Sequence, residues 1–275
     1  MVNVFKTQQK PAKAEKEEAK VRHPKDGRLT ELMDKFLDEA QPEIEEKVRA
    51  GFVFHPSQVN VMADPRDIEL DFLSKVLRPE MQGIVMHENR VDPQLRRIFD
   101  NGTMTHRRIQ EYLAKMTRAK KYPFKLIKDE LPIFDKEYRI GGNTDGVIEV
   151  DGELYILEIK TINTTQFRKL TEPLWKHMDQ AHLYMYCADI PQAIFLYEDK
   201  NTQALKDFVV QRDEDKMDRL LGMLAEARDA IQHKYLLPYR MIGSKSPYAP
   251  IRHYTWEEII KPGYFDWDTG KWIDE

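Results

Sequence analysis

The chain has 275 residues, a single cysteine, 33% charged residues and a formal net charge of −4. That length allows one large domain or two small ones, with a core that needs no covalent staple. Lone Cys187 excludes an internal disulfide framework, an all-cysteine zinc site and a cysteine-ligated iron–sulfur cluster. No stretch reaches the roughly 20 apolar residues of a membrane span. The first ten residues carry no apolar signal core, so a protein of a reducing compartment, the cytoplasm, is expected, with no membrane partner. The slight negative charge argues against blanket coating of nucleic acid but leaves room for a local basic groove.

In chain order, residues 1–26 are rich in Lys and Glu and lack large apolar residues after Phe5. They cannot offset their ordering entropy by burial, which predicts a mobile charged tail. Its lysines can brush phosphates, although a solubilising leader has the same composition. Leu29, Leu32, Met33, Phe36, Leu37, Ile44 and Val48 fall at helical spacing, with a bend expected near Pro42 and a stop at Gly51. Residues 52–54 read as extended, and Pro56-Ser57 as the start of a helical segment running to residue 77. Residues 94–118 predict a helix with a break at Asn101-Gly102. After Pro123 come three strand-like runs, 126–134, 138–150 and 154–161, the last two joined by Asp151-Gly152, a strong hairpin signal. A helix over 172–187, a strand over 193–197 and an amphipathic helix over 213–235 follow. The expected fold is a mixed α/β core behind a helical N-terminal half. Its divisions are the tail at 1–26, a helical region at 27–120, the α/β core at 121–240 and a C-terminal extension at 241–275. That extension can close a hairpin through Asp268-Thr269-Gly270-Lys271, with Trp267 near Trp272, or serve as an acidic–aromatic partner-binding segment.

The chemistry concentrates in residues 141–161, GGNTDGVIEVDGELYILEIKT. Along the strand over 154–161 side chains alternate, so Leu154, Ile156, Glu158 and Lys160 share one face. Both faces are largely apolar, which predicts a central strand covered on both sides. A Glu and a Lys there are unfavourable unless paired or used. If the chain turns at 151–152, position 145 lies opposite position 158, and Asp145 and Glu158 meet beside Lys160. A hard divalent metal, Mg²⁺ or Mn²⁺, would relieve the repulsion of two such carboxylates. An ordinary buried Asp/Glu–Lys network fits the spacing equally well.

Asp145 followed by Glu158-Ile159-Lys160 across a hairpin resembles the PD-(D/E)xK nuclease superfamily. Further motifs, in the expected order over about residues 55–200, resemble its RecB-like exonuclease branch. Gly102 and His106 resemble a G-x-x-x-H helix motif, Gly142 a G-x-x-D turn, Gln180 and Tyr184 a Q-x-x-x-Y motif, and Glu130 the acidic residue that often opens the first strand. The resemblance implies the restriction-endonuclease-like α/β fold, a mixed central sheet flanked by helices. It implies metal ligands at His106, Asp145, Glu158 and the Ile159 carbonyl, water positioning by Lys160, and substrate orientation by Gln180 and Tyr184. Where iron–sulfur relatives place a cysteine, Ala63 or Asp64 stands, so no iron–sulfur cluster is expected.

The function so implied is a Mg²⁺- or Mn²⁺-dependent DNA nuclease. An exonuclease working on single-stranded or duplex DNA ends is the leading form, in replication, recombination or repair, with a possible protein partner from those processes. Such small members are frequent in bacteriophage, which would place this one in the host cytoplasm. A catalytically silent DNA-binding or assembly subunit and a structure-specific endonuclease are the competing forms. Arg107, Arg108, Lys120, Lys121, Lys125 and Lys128, with Tyr122 and Phe124 between, form a basic set that can track a phosphate backbone or simply be solvated. His177 and His182 are five apart, wrong for two ligands on one helix face, and no zinc site is expected there.

Overall fold

The computed structural model describes residues 28–39, 51–60, 64–88, 91–239 and 246–275. The expected tail at 1–26 and the bend at Pro42 lie outside the described residues. Helix α1 (Arg28–Glu39) buries none of its side chains. Helix α2 (Pro65–Phe72) begins later than the expected start at Pro56. Asp64 sets that start: its carboxylate accepts the Arg66 N–H at 3.0 Å, and Pro65 takes the first helical position. Helix α3 (Pro79–Glu88) precedes the long helix α4 (Pro93–Ala119), whose N-cap Asp92 accepts the Leu95 N–H at 2.7 Å. The expected break at Asn101-Gly102 is absent. One interior glycine disfavours helix by only about 1 kcal/mol, which a long, well-capped helix absorbs.

The three strand-like runs become five strands: β1 (Phe124–Asp129), β2 (Pro132–Phe134), β3 (Gly141–Asn143), β4 (Gly146–Val150) and β5 (Glu153–Ile162). Glu130, at φ 57, turns the chain out of β1, and Thr144-Asp145 interrupt the path from β3 to β4. Strands β2 and β3 therefore form a small sheet of their own. The hairpin at Asp151-Gly152 forms as expected, with φ of 52 and 90, the left-handed pair a tight two-residue turn needs. Helices α5 (Thr164–Lys169) and α6 (Trp175–Ala188) lead to β6 (Gln192–Asp199), β7 (Leu205–Gln211) and α7 (Glu214–Gln232). A short helix α8 (Trp256–Ile259) and the hairpin of β8 (Tyr264–Asp266) and β9 (Lys271–Ile273) complete the chain.

The main sheet has five strands in the order β1-β4-β5-β6-β7. Its pairings are antiparallel except β5 with β6, which are parallel and joined through α5 and α6. Strand β5 is central and covered on both faces, as its apolar run requires. Ile156 and Ile162 join the main core with α6 and α7, while Leu157 and Ile159 join Ile109 of α4 and Ile148 in a smaller cluster on the other face. The fold is thus a mixed α/β sheet flanked by helices, with helices ahead of it. Residues 246–275 bury Ile251, Trp256, Ile259 and Phe265 in the main core. The expected pairing of Trp267 with Trp272 does not form. Trp272 lies opposite Phe265 in the ladder, and Trp267 stacks on Phe72 with ring centroids 5.6 Å apart. No helix among the described residues is long and apolar enough to cross a membrane.

Candidate active site

Register places Gly146 opposite Leu157, so Asp145, immediately before β4, sits beside Glu158 and Ile159 of β5. One carboxylate oxygen of Asp145, Oδ2, accepts the Ile159 N–H at 2.7 Å. The other, Oδ1, lies 3.1 Å from His106 Nδ1 on α4, and Gln110 Nε2 donates to the Asp145 main-chain carbonyl at 2.8 Å. His106 and Gln110 are one helical turn apart, so α4 grips this residue at two points. Gly146 explains the tight approach of the strands: a Cβ there would lie 3.0 Å from the Lys128 carbonyl.

On the opposite face of β5, Lys160 Nζ donates to Glu158 Oε2 at 2.7 Å and to Gln180 Oε1 at 3.3 Å. Gln180 Nε2 in turn donates to the Tyr184 hydroxyl at 3.2 Å. Gln180 and Tyr184 are i,i+4 on α6, which is why both reach the strand. Gly142 lies against this ring: a Cβ there would touch the Tyr184 hydroxyl at an ordinary 3.5 Å and press more closely, at 3.3 Å, on Pro56 Cδ. His106, Asp145, Glu158, Ile159, Lys160, Gln180 and Tyr184 are therefore one contiguous set. Glu130 is not brought into it, being exposed on the turn after β1.

Glu158 is 1% exposed, and its Oε1 has no hydrogen-bond partner among the described residues. Burial pushes its carboxyl up to about 7; Lys160 opposes the shift and the like charge of Asp145 adds to it. Burial alone would lower the Lys160 ammonium, but Glu158 and Asp145 together raise it, so Lys160 stays charged. Burial, with the charge of Glu158, also raises the Tyr184 hydroxyl, which stays protonated.

Among the described residues no three His, Cys, Asp or Glu side chains form a closed metal-ligand cluster. Both Asp145 oxygens and Glu158 Oε2 are engaged within the protein. The donor set nevertheless fits a hard divalent cation. Two carboxylates repel, one of their oxygens is buried without a partner, and an imidazole adjoins them.

Some of the contacts around the site escaped the sequence reading. Gln110 was legible only as the i+4 neighbour of His106. Arg108 meets both oxygens of buried Glu198 at 2.7 Å, and Lys125 meets Glu149 at 2.7 Å. Two members of the basic set are thus paired with the protein's own carboxylates. Tyr197 and His177, whose rings stack at 5.8 Å, had no motif to mark them.

Comparison with known proteins adds the following. No curated protein matches the chain in sequence. Among solved structures it is similar to SSO0001, with 15% identity over 74% of this chain and 86% of that one, at a TM-score of 0.44. It is also similar to the alkaline exonuclease LHK-Exo from Laribacter hongkongensis, with 19% identity and a TM-score of 0.31; the match covers 38% of this chain and 60% of that one. The complex of LHK-Exo with dAMP gives 20% identity, the same coverage and a TM-score of 0.31. The family model of the PD-(D/E)XK nuclease superfamily matches residues 21–240, and the chain belongs to that superfamily.

Proposed function

We propose that this protein is a divalent-metal-dependent deoxyribonuclease that hydrolyses phosphodiester bonds at DNA ends. The observation that carries the reading is the meeting of Asp145, Glu158 and Lys160 across one hairpin, with a buried oxygen of Glu158 left unpartnered. Asp145, Glu158, His106 and the Ile159 carbonyl would hold Mg²⁺ or Mn²⁺. Bound there, such an ion supplies Lewis-acid polarisation of the phosphate and lowers the pKa of water.

The chain's own residues supply positioning and charge. Lys160 is held protonated by its two acidic neighbours. Charged, it is a donor suited to orienting the attacking oxygen or stabilising phosphoryl charge. Gln180 takes one Lys160 proton into a hydrogen bond and so fixes where Nζ sits. Tyr184, neutral and packed over Gly142, holds Gln180 in turn. His106 and Gln110 hold Asp145 from α4, with its other carboxylate oxygen on the Ile159 N–H. Arg107, Lys120, Lys121 and Lys128 remain candidates for backbone contacts.

The test is hydrolysis of labelled linear and circular DNA with Mg²⁺ or Mn²⁺, by wild type, Lys160→Ala and Asp145→Ala. Cleavage of linear DNA alone, lost in both variants with binding retained, is expected. Cleavage of circular DNA would make it an endonuclease. Binding without cleavage by wild type under every metal condition would make it a silent subunit.

A further inference from the structure

His177 lies on α6, three residues before Gln180 and seven before Tyr184, so the three share one helix face. Behind it stands Tyr197 of β6, fully buried and directly opposite Lys160 in the parallel ladder. The His177 and Tyr197 rings stack with centroids 5.8 Å apart. The Tyr197 hydroxyl accepts the Leu174 N–H at 3.1 Å and lies 2.8 Å from His177 Nδ1. The hydroxyl proton needs an acceptor in this buried position, and His177 Nδ1 is the one within hydrogen-bond reach among the described residues, so the hydroxyl donates to Nδ1 while its oxygen takes the Leu174 N–H.

That hydrogen bond decides the tautomer. Nδ1 is an acceptor, so the imidazole proton is on Nε2. Burial first, then the positive charges of Lys160 and Lys176, lower His177 to about 3, which keeps the ring neutral. Nε2–H has no partner among the described residues, and on this half-buried ring it keeps some exposure to solvent. The result is a fixed, uncharged donor close enough to Lys160 to feel its charge, on the ring that Tyr197, the ladder partner of Lys160, holds. A second cation there would be repelled by the ammonium; a neutral N–H adds a hydrogen bond without that repulsion.

We propose that His177, through Nε2–H, is a further substrate contact that holds a non-bridging phosphate oxygen of the bound strand beside Lys160, and that Tyr197 is the positioning residue that aims it. The inference rests on the nuclease reading above and adds a residue outside its motifs.

The experiment compares wild type with His177→Phe, His177→Gln and His177→Asn on end-labelled DNA, together with anisotropy binding in Ca²⁺ and thermal melting. Phe keeps the ring but removes the donor. Gln can carry an N–H to the place of Nε2, and Asn cannot reach it. Loss of one neutral hydrogen bond should raise KM and the Ca²⁺-supported Kd by about 3- to 10-fold. A contact that binds substrate and transition state alike should leave kcat within about threefold. Gln should restore most of the loss and Asn should repeat it. Tyr197→Phe should repeat part of the effect. Imidazole ¹⁵N spectra at neutral pH should show His177 as the neutral Nε2–H tautomer.

The inference fails if wild type cleaves and both His177→Phe and His177→Asn match it in KM and Kd, or if the spectra show an Nδ1–H or charged ring. Should Phe fail to fold, the Gln against Asn comparison decides. If wild type neither binds nor cleaves DNA, the nuclease reading falls first and takes this contact with it.

Discussion

Glu158, buried, with one oxygen on Lys160 and the other unpartnered, is a carboxylate that the metal-free protein favours protonating. Asp145 adds to that by its like charge. Replacing Asp145 by Asn keeps an oxygen for the Ile159 N–H and removes the repulsion, and its amide can donate to His106 Nδ1 once the imidazole proton moves to Nε2. Metal-free Asp145→Asn is therefore expected to melt about 2–4 °C above wild type, corresponding to roughly 1 kcal/mol for a chain of this size. Its cleavage should fall by at least about 100-fold, the scale of losing one electrostatic element of a site. Titration with Mn²⁺ should raise the melting temperature of wild type and leave that of the variant nearly unchanged, because a ligand stabilises only the state that binds it. Equal Mn²⁺ stabilisation of both would place the cation elsewhere.

Helix α4 and the β4–β5 hairpin carry the site as elements. At Gly102 of α4 an added Cβ would meet nothing within 4 Å, so the fold makes no demand for glycine there. Gly102→Ala should stabilise the protein by up to about 1 kcal/mol in chemical denaturation, from helix propensity alone. A loss of stability would mean that the position is packed. The opposite is expected at the hairpin, where Gly152 has φ 90. Gly152→Ala places a Cβ in the left-handed region and should lower stability by about 1 kcal/mol, as denaturation midpoints would register. The hairpin was legible because the turn dipeptide and the strand alternation agree locally. The split of one predicted run into β1 and β2 was not, because Glu130 adopts a left-handed conformation that nothing in its own residue type requires.

Across the molecule, Glu69 of α2 ties the first helices to the segment after α7. It is fully buried, its Oε2 accepts the Leu237 N–H at 2.9 Å, and its Oε1 has no hydrogen-bond partner among the described residues. Burial raises its carboxyl to about 8, against the opposing Leu237 hydrogen bond and the Arg66 charge. In the unfolded chain the group ionises near its ordinary value of 4.5, while in the fold it stays protonated. Its stabilising contribution is therefore complete below about pH 4.5 and is lost as pH rises toward about 8. Denaturation followed over that window should show falling stability, with a shallower slope in Glu69→Gln. Glu158 acts in the same direction up to about 7, so the variant should keep part of the slope. An unchanged slope in the variant would show that Glu69 is ionised in the fold.

What the residues determined by themselves was local. Period-two alternation put Glu158 and Lys160 on one face, the Asp151-Gly152 turn set Asp145 opposite Glu158, and helical spacing aligned Gln180 with Tyr184. These follow from backbone geometry, which is the same wherever the segment is placed. Tertiary structure decided the rest. It brought His106 to Asp145 from 39 residues away, left one Glu158 oxygen without a partner, and used Tyr197 to choose the proton position on His177. It also spent Arg108 and Lys125 on internal carboxylates and left Glu130 outside the site. Those outcomes depend on which distant groups compete for burial and hydrogen bonds, and no spacing along the chain records that competition.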